Sequence, residues 1–151
     1  MQIRRLVETL SVAPQLEVAD IPVLAARGFR AIINNRPDGE DGAQPASAAL
    51  EAAARQHGLG YRHIPVIPGQ LHDASVDAFA EALRQLPGPM LAYCRSGTRS
   101  AMLWALGAVR ERDVDGVLQV AAEAGYDLSA LRPRLQQEHA AKNLRDASSR
   151  S

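Results

Sequence analysis

Apolar residues occur along this chain in two alternating patterns, short continuous runs and longer stretches with helical spacing. The continuous runs predict β-strands over 10–15, 29–34, 61–66 and 90–93. The helical spacing predicts α-helices over 20–28, 45–57, 73–86, 100–109 and 114–124, with a last amphipathic piece over about 128–135. Strands that alternate with helices predict an α/β domain in which a mainly parallel central sheet is flanked by helices on both faces.

Polar residues and glycines indicate where the predicted helices begin and end. Typical N-cap residues precede three of them, namely Asp20, Asp73 or Ser75, and Asp113. Glycines are the expected helix ends at Gly28, Gly58 and Gly125. Only helical patterns follow residue 100, so the strand over 90–93 is predicted to be the last one.

Length, charge and cysteine content limit the possible functions. The 151 residues are expected to form one domain over 1–141, followed by a frayed polar tail over 142–151. Lys and Arg number 17 and so do Asp and Glu, so the net charge gives no reason to expect nucleic acid or a membrane as partner. A single cysteine, no signal-like start and no bilayer-length apolar run predict a reducing, cytoplasmic setting. The histidines stand apart in sequence, so neither a metal nor a cofactor is expected.

The stretch around the only cysteine, Cys94, has the order strand, tight loop, helix. A thiol at such a turn lies under the loop amides and the positive end of the helix, both of which favour thiolate over thiol. Most free cysteines simply pack in a core, and that alternative applies to a lone residue. The surrounding loop chemistry makes an activated nucleophile the better prediction.

The residues that follow Cys94 are suited to an anion. Gly97 lets the backbone turn its amides inward, and Arg99 offers a planar fork for two oxyanion oxygens. Arg95 adds a second positive charge, and Ser100 is expected to cap the helix or to bond the sulfur. The predicted anion-binding residues are Arg95, Ser96, Gly97, Thr98, Arg99, Ser100 and, from another loop, Arg36.

Two further loops are predicted at the carboxyl ends of strands, over 34–42 and 68–73, where open α/β sheets bind ligands. They are expected to form walls around the cysteine loop. Arg36 is then an extra anion clamp, and Asp38 is the predicted catalytic acid, with His72 or Asp73 as other candidate proton donors. A solvated turn is the alternative for each of these residues.

Three motifs resemble one family. Ile33-Asn34-Asn35-Arg36-Pro37-Asp38-Gly39-Glu40, His63-Ile64-Pro65-Val66 and Tyr93-Cys94-Arg95-Ser96-Gly97-Thr98-Arg99-Ser100 are similar to the phosphatase-like domain of beta-lactamase hydrolase-like proteins. The resemblance implies the fold of protein-tyrosine and dual-specificity phosphatases. It also implies a cysteine-dependent reaction at Cys94 and Arg99.

The cysteine loop departs from the phosphatase pattern in three ways. Four residues separate Cys94 from Arg99, where phosphatases of this fold keep five, and this shorter loop is similar to that of rhodanese-type sulfurtransferases. Tyr93 replaces the usual histidine, and no aspartate stands near Pro68 or Gly69, where the general acid would fall. An early Asp-x-Arg strand and a closing Gly-Gly turn are missing, so a rhodanese fold is not expected.

Three hypotheses follow. The leading one is a sulfurtransferase in which Cys94 carries a persulfide, with a small sulfur-containing anion as substrate. The alternative is a phosphatase-like hydrolase that forms a cysteinyl-phosphate, and a further alternative is a non-catalytic oxyanion-binding module. Some family members are joined to, or encoded beside, persulfide-oxidising metallo-beta-lactamase-like domains, so the resemblance implies such a protein as a partner.

Overall fold

The structure, a computed structural model that describes residues 1–149, contains one five-stranded sheet in the order β1-β2-β5-β3-β4. Its strands are β1 (Arg4–Val7), β2 (Leu10–Ala13), β3 (Ala31–Asn34), β4 (Gly60–His63) and β5 (Met90–Tyr93). β1 is antiparallel to β2, and the other neighbours are parallel. The α/β class and the mainly parallel sheet predicted from the sequence are confirmed.

Within residues 1–149, six α-helices cover the two faces of this sheet. They are α1 (Asp20–Ala26), α2 (Ser47–Gln56), α3 (Asp73–Gln85), α4 (Thr98–Ala108), α5 (Val114–Glu123) and α6 (Arg132–Ser149), with a short 3₁₀ turn at Ser129–Leu131. α1 and α2 pack on one face, and α3 to α6 form the layer on the other.

Alternation along the strands creates a separate core on each face. In β5, Leu91 and Tyr93 pack towards α1 and α2, whereas Met90 and Ala92 pack towards α3 and α4. In β3, Ile32 packs towards α1 and α2, and Ile33 packs towards α3 and α4. Each large apolar side chain buried in this way stabilises the folded protein by about 1.5–3 kcal/mol relative to an exposed position. Because both faces of the central strand β5 are covered, this strand is apolar at every position.

The four parallel strands end level with one another. Ala13 pairs with Tyr93, Tyr93 with Asn34, and Asn34 with His63, and these are the last residues of β2, β5, β3 and β4. The chain leaves the sheet at all four positions on the same edge. The loops that follow are therefore brought together, as the sequence predicted.

Several predicted bounds differ from the structure. β1 was not predicted, because two exposed arginines make up half of this edge strand. The N-cap at Asp20 is wrong by one residue, since α1 begins at Asp20 and its carboxylate accepts a hydrogen bond from the amide of Glu17. The N-cap at Asp113 is confirmed by its bond to the Gly116 amide.

The other differences lie at helix termini. α4 begins at Thr98, two residues earlier than predicted, because Gly97 takes the N-cap position. α3 begins at Asp73 and has no side-chain cap. Where a frayed tail was predicted over 142–151, α6 continues to Ser149, and residues 150 and 151 lie outside the described part.

Candidate active site

Cys94 follows β5 directly and lies fully buried at the start of the loop that leads into α4. The amide of Gly97 donates a hydrogen bond to its Sγ at 3.1 Å. Gly97 has φ +93°, which side chains rarely adopt, and a Cβ there would lie 2.2 Å from the Tyr126 hydroxyl oxygen. Glycine is therefore required for the turn that directs this amide at the sulfur.

Arg99, in the first turn of α4, is the cation beside this thiol. Its Nη1 donates to Glu40 Oε2 at 2.7 Å and to the carbonyl of Val66 at 2.8 Å, and its Nη2 donates to Glu40 Oε1 at 2.8 Å. Burial alone lowers the pKa of Arg99, but the bond to Glu40 and the charge of Cys94 outweigh it and raise that pKa. Its bonds to Glu40 and Val66 hold the guanidinium as a fixed positive charge.

Glu40 joins the two arginines that the sequence assigned to anion binding. It also accepts a bond from Nε of Arg36 at 2.9 Å, while Nη1 of Arg36 donates to Gln15 Oε1 at 3.0 Å. The bond from Arg99, followed by that from Arg36, holds the pKa of Glu40 below its usual range against the opposing effect of burial. Arg36 is thus bound to Glu40, and its role as an anion clamp stays a prediction.

Ser100 connects the cysteine loop to the loop after β3. Its hydroxyl donates to Asn35 Oδ1 at 2.8 Å, and Asn35 in turn donates through Nδ2 to the carbonyl of Ile64. This bond replaces the expected contact with the sulfur or with the helix terminus. Ser100 fixes the position of two loops, and contact with an anion stays a prediction.

A cavity of about 390 Å³ opens beside this cluster. It is lined by Pro37, Glu40, Ile67, Pro68, Arg95 and Arg99. Arg95 and Ser96 are exposed, and the Ser96 hydroxyl donates to Thr98 Oγ1 at 3.0 Å. Ile67 is 54% exposed, which is unusual for a large apolar residue and gives the entrance an apolar side.

Two of the three candidate proton donors bind other parts of the molecule. Asp38 Oδ1 accepts a bond from the amide of Ser47 at 2.8 Å, which places this carboxylate at the start of α2. Asp73 Oδ1 accepts from Nη2 of Arg134 at 3.2 Å. His72 is exposed at the start of α3. Their roles in catalysis stay predictions.

Tyr93, which stands in place of the usual histidine, does not face the thiol. Its side chain packs in the core beneath α1 and α2, and its hydroxyl has no hydrogen-bond partner among the described residues. Burial raises the pKa of Tyr93, so the phenol is neutral. Tyr93 is a core residue at the end of β5.

Sequence patterns did not assign a role to two residues at this site. Glu40 lay inside a polar loop and had no distinguishing local signal. Tyr126 follows Gly125 after α5, and its hydroxyl donates to the carbonyl of Ser96 at 3.4 Å, so it packs on the cysteine loop. Burial and the charge of Cys94 raise the pKa of Tyr126. The bond between Glu40 and Arg99 and the bond between Tyr126 and Ser96 each join residues far apart in the chain.

No group of three or more His, Cys, Asp or Glu side chains within the described residues has an arrangement that would hold a metal ion. None of the described helices combines the length and the apolar character needed to cross a bilayer.

Comparison with solved structures finds proteins of similar fold. A crystallised candidate phosphatase of Neisseria meningitidis is 36% identical, with a TM-score of 0.83 over 91% of this chain and 99% of that one. The solved structure of PTPMT1, at 13% identity and a TM-score of 0.72 over 97% of this chain and 99% of that one, shares the fold.

A beta-lactamase hydrolase-like protein of Agrobacterium fabrum is 36% identical over 147 residues, which are 93% of this chain and 33% of the relative. The chain thus spans about a third of the length of the curated relatives it matches. The family model described as "Beta-lactamase hydrolase-like protein, phosphatase-like domain" matches residues 2–110. With this match over most of its length, the chain belongs to the family of phosphatase-like domains of beta-lactamase hydrolase-like proteins.

Proposed function

We propose that this domain is a cysteine-dependent phosphatase-like hydrolase that acts on small phosphate monoesters. The observation that carries the proposal is the pairing of a buried thiol, under the Gly97 amide, with a guanidinium held beside it by Glu40. The site lies at the carboxyl end of the central strand, in a fold shared with phosphatases. These features support a nucleophile and an oxyanion clamp at one place.

In this reaction the thiolate of Cys94 attacks phosphorus and the bond from phosphorus to the ester oxygen breaks. The ester oxygen leaves with the bonding electron pair, and a cysteinyl-phosphate remains. Arg99 and the loop amides stabilise the negative charge on the phosphoryl oxygens during this step. Water then attacks phosphorus, which releases phosphate and restores the thiolate.

The side chains around the cavity narrow the substrate class. Glu40 is the carboxylate that lines the cavity, and two arginines hold it ionised, so it is unsuited to donate a proton. Leaving groups that are stable as anions, such as acidic phenols, are therefore favoured over alkoxides. Ile67, Pro37 and Pro68 offer an apolar surface to the body of such a substrate.

A second candidate function is sulfur transfer, which is favoured by the four-residue spacing and by the bonds that hold Asp38 and Asp73 at other parts of the molecule. Here Cys94 attacks the sulfane sulfur of thiosulfate, the bond between the two sulfurs breaks, and sulfite leaves with the electron pair. An acceptor thiolate then removes the outer sulfur from the persulfide. Sulfite is a stable anion, so this step needs no general acid. A metallo-beta-lactamase-like protein is the proposed partner for this chemistry.

The two reactions, and a non-catalytic oxyanion-binding module, differ in what remains on Cys94. The test is intact-mass measurement after brief reaction with p-nitrophenyl phosphate or, separately, with thiosulfate. We expect a phosphoryl adduct from the first, lost in Cys94→Ser, together with release of phosphate. A sulfur adduct alone would establish the second candidate, and no adduct from either would support the binding module.

A further inference from the structure

We infer that Tyr126 is a positioning residue, which holds the peptide group between Ser96 and Gly97 in the orientation that directs the Gly97 amide at the Cys94 sulfur. The inference rests on the proposed function only in that Cys94 is the reacting nucleophile. It concerns one hydroxyl that reaches the cysteine loop from the turn after α5.

A single peptide group takes part in both hydrogen bonds. The Tyr126 hydroxyl donates to the carbonyl oxygen of Ser96 at 3.4 Å, and the amide of the next residue, Gly97, donates to Sγ of Cys94 at 3.1 Å. This carbonyl and this amide belong to the same planar unit, in which they point in opposite directions. Fixing the carbonyl on the outer side of the loop therefore fixes the amide on the inner side, where the sulfur lies.

Gly97 makes such an anchor necessary. Its φ of +93° is required for the turn, but glycine populates negative φ about as readily as positive φ. Rotation of the peptide between Ser96 and Gly97 would change this angle and would turn the amide away from the sulfur. A hydrogen bond to the Ser96 carbonyl opposes the rotation, because the rotated carbonyl would lose its donor on Tyr126.

The place of the Tyr126 side chain supports the same role. A Cβ at Gly97 would overlap the hydroxyl, so the hydroxyl oxygen lies directly against this part of the loop. The ring packs against the core beneath α3 to α6. Burial, followed by the charge of Cys94, raises the pKa of Tyr126 against the opposing effect of Arg4. The hydroxyl therefore keeps its proton and stays a donor at neutral pH.

Backbone atoms at the end of β2 hold the preceding residues of the loop. The amide of Gln15 donates to the carbonyl of Arg95 at 3.3 Å, and the amide of Cys94 donates to the carbonyl of Ala13 at 3.4 Å. The next carbonyl along the loop is the one that Tyr126 binds. A side chain thus continues the support that β2 gives to the first part of the loop.

The first test follows alkylation of Cys94 by iodoacetamide against pH, in wild type and in Tyr126→Phe, which keeps the ring. We expect the pH midpoint of alkylation to rise by about one unit, the scale of one hydrogen bond to a charged group, because the thiolate loses a well-directed donor. Arg99, which acts on the sulfur, and Arg4, which acts on Tyr126, are the same in both proteins. An unchanged midpoint would overturn the inference, even if Tyr126→Phe is less stable to urea.

The second test observes the peptide group itself by nuclear magnetic resonance. In isotope-labelled wild type, the Gly97 amide proton should move downfield as the thiol ionises, because a charged acceptor strengthens its hydrogen bond. The movement should be clearly smaller in Tyr126→Phe. No movement in wild type, a measurement that needs no variant to fold, would overturn the inference, and so would equal movement in the two proteins.

Asp127→Asn is the matched control. It changes the exposed neighbour of Tyr126, and asparagine can still accept the hydrogen bond that Asp127 accepts from the Ser129 amide. Its alkylation midpoint should equal that of wild type, and a rise as large as in Tyr126→Phe would overturn the inference. If the wild-type domain turns over neither p-nitrophenyl phosphate nor thiosulfate, the proposed function fails, while alkylation and resonance still decide the role of Tyr126.

Discussion

The two loops that build the candidate site differ in how far their contacts reach along the chain. In the loop after β5, the bond from the Gly97 amide to the sulfur spans three residues. In the loop after β3, Glu40 binds a residue 59 positions away, and Asn35 binds one 65 positions away. The first loop can place its proposed nucleophile with its own backbone, whereas the second loop reaches Arg99 and Ser100 only in the folded sheet.

The two loops supply different groups to the candidate site. The cysteine loop supplies the sulfur and the amides around it, and its sequence already predicts them. The loop after β3 supplies the carboxylate that fixes Arg99, together with the amide group that binds Ser100. Local contacts thus place the proposed nucleophile and long-range contacts place the proposed oxyanion clamp, so substitutions should affect the two separately.

The largest effect is expected from Cys94→Ser. The hydroxyl occupies the space of the thiol but is not ionised at neutral pH, so both adduct formation and turnover should fall to background. Intact-mass and steady-state rate measurements check this, with the melting temperature as a control for folding. Turnover near the wild-type level would contradict every covalent mechanism at this loop.

Arg99→Lys should have the next largest effect. Lysine keeps the charge but cannot bond Glu40, Val66 and an oxyanion in fixed directions. We expect kcat to fall by about 10²–10³-fold, as for removal of one oxyanion donor. Steady-state kinetics on the same substrate measures this, and an unchanged kcat would mean that the fork does not contact the transition state.

Gly97→Ala should disturb the local part of the site. Alanine at φ +93° costs about 1–2 kcal/mol, and its Cβ would meet the Tyr126 hydroxyl. The free energy of unfolding in urea should fall by at least that amount, and turnover should fall with it. Adding Tyr126→Phe should restore part of the stability, because it removes the nearest atom. If the double variant is no more stable than Gly97→Ala alone, the contact with the Tyr126 hydroxyl is not the cause of the lost stability.

The ion pairs of Glu40 predict that the free energy of unfolding falls at acid pH. The pKa of Glu40 is lowered from 4.5 in the folded protein, so its contribution is present above that pH and is lost as the pH falls through the folded value. The difference in unfolding free energy between wild type and Glu40→Gln should therefore shrink as the pH is lowered from 7 to about 3. A difference that stays constant over this range would show that the ion pairs do not lower the pKa of Glu40 in the folded protein.

Asp38→Asn should have the smallest effect. The amide oxygen can still accept the bond from Ser47, and only the favourable charge at the start of α2 is lost, which is worth about 0.3–1 kcal/mol. Turnover should stay within about twofold of wild type. A loss of about 10²–10⁴-fold, the usual contribution of a general acid, would instead establish Asp38 as the proton donor.

The sequence by itself determined most of the helices and strands, and it predicted the candidate nucleophile, Cys94. Continuous apolar runs predicted β2 to β5, because a parallel strand is buried on both faces, and Asp113 and Gly97 predicted local turns through their own chemistry. Edge strand β1 was missed, because two exposed arginines give it no apolar run. Signals that act within a few residues were sufficient for most of the fold.

Only the tertiary structure decided which side chains meet. Asp38 and Glu40 lie two residues apart in the same polar loop, yet one binds the start of α2 and the other binds Arg99. Ser100 bonds Asn35 in place of the sulfur. These outcomes depend on the strands ending level at one edge of the sheet, which brings distant loops within hydrogen-bond distance, and no local pattern carries that information.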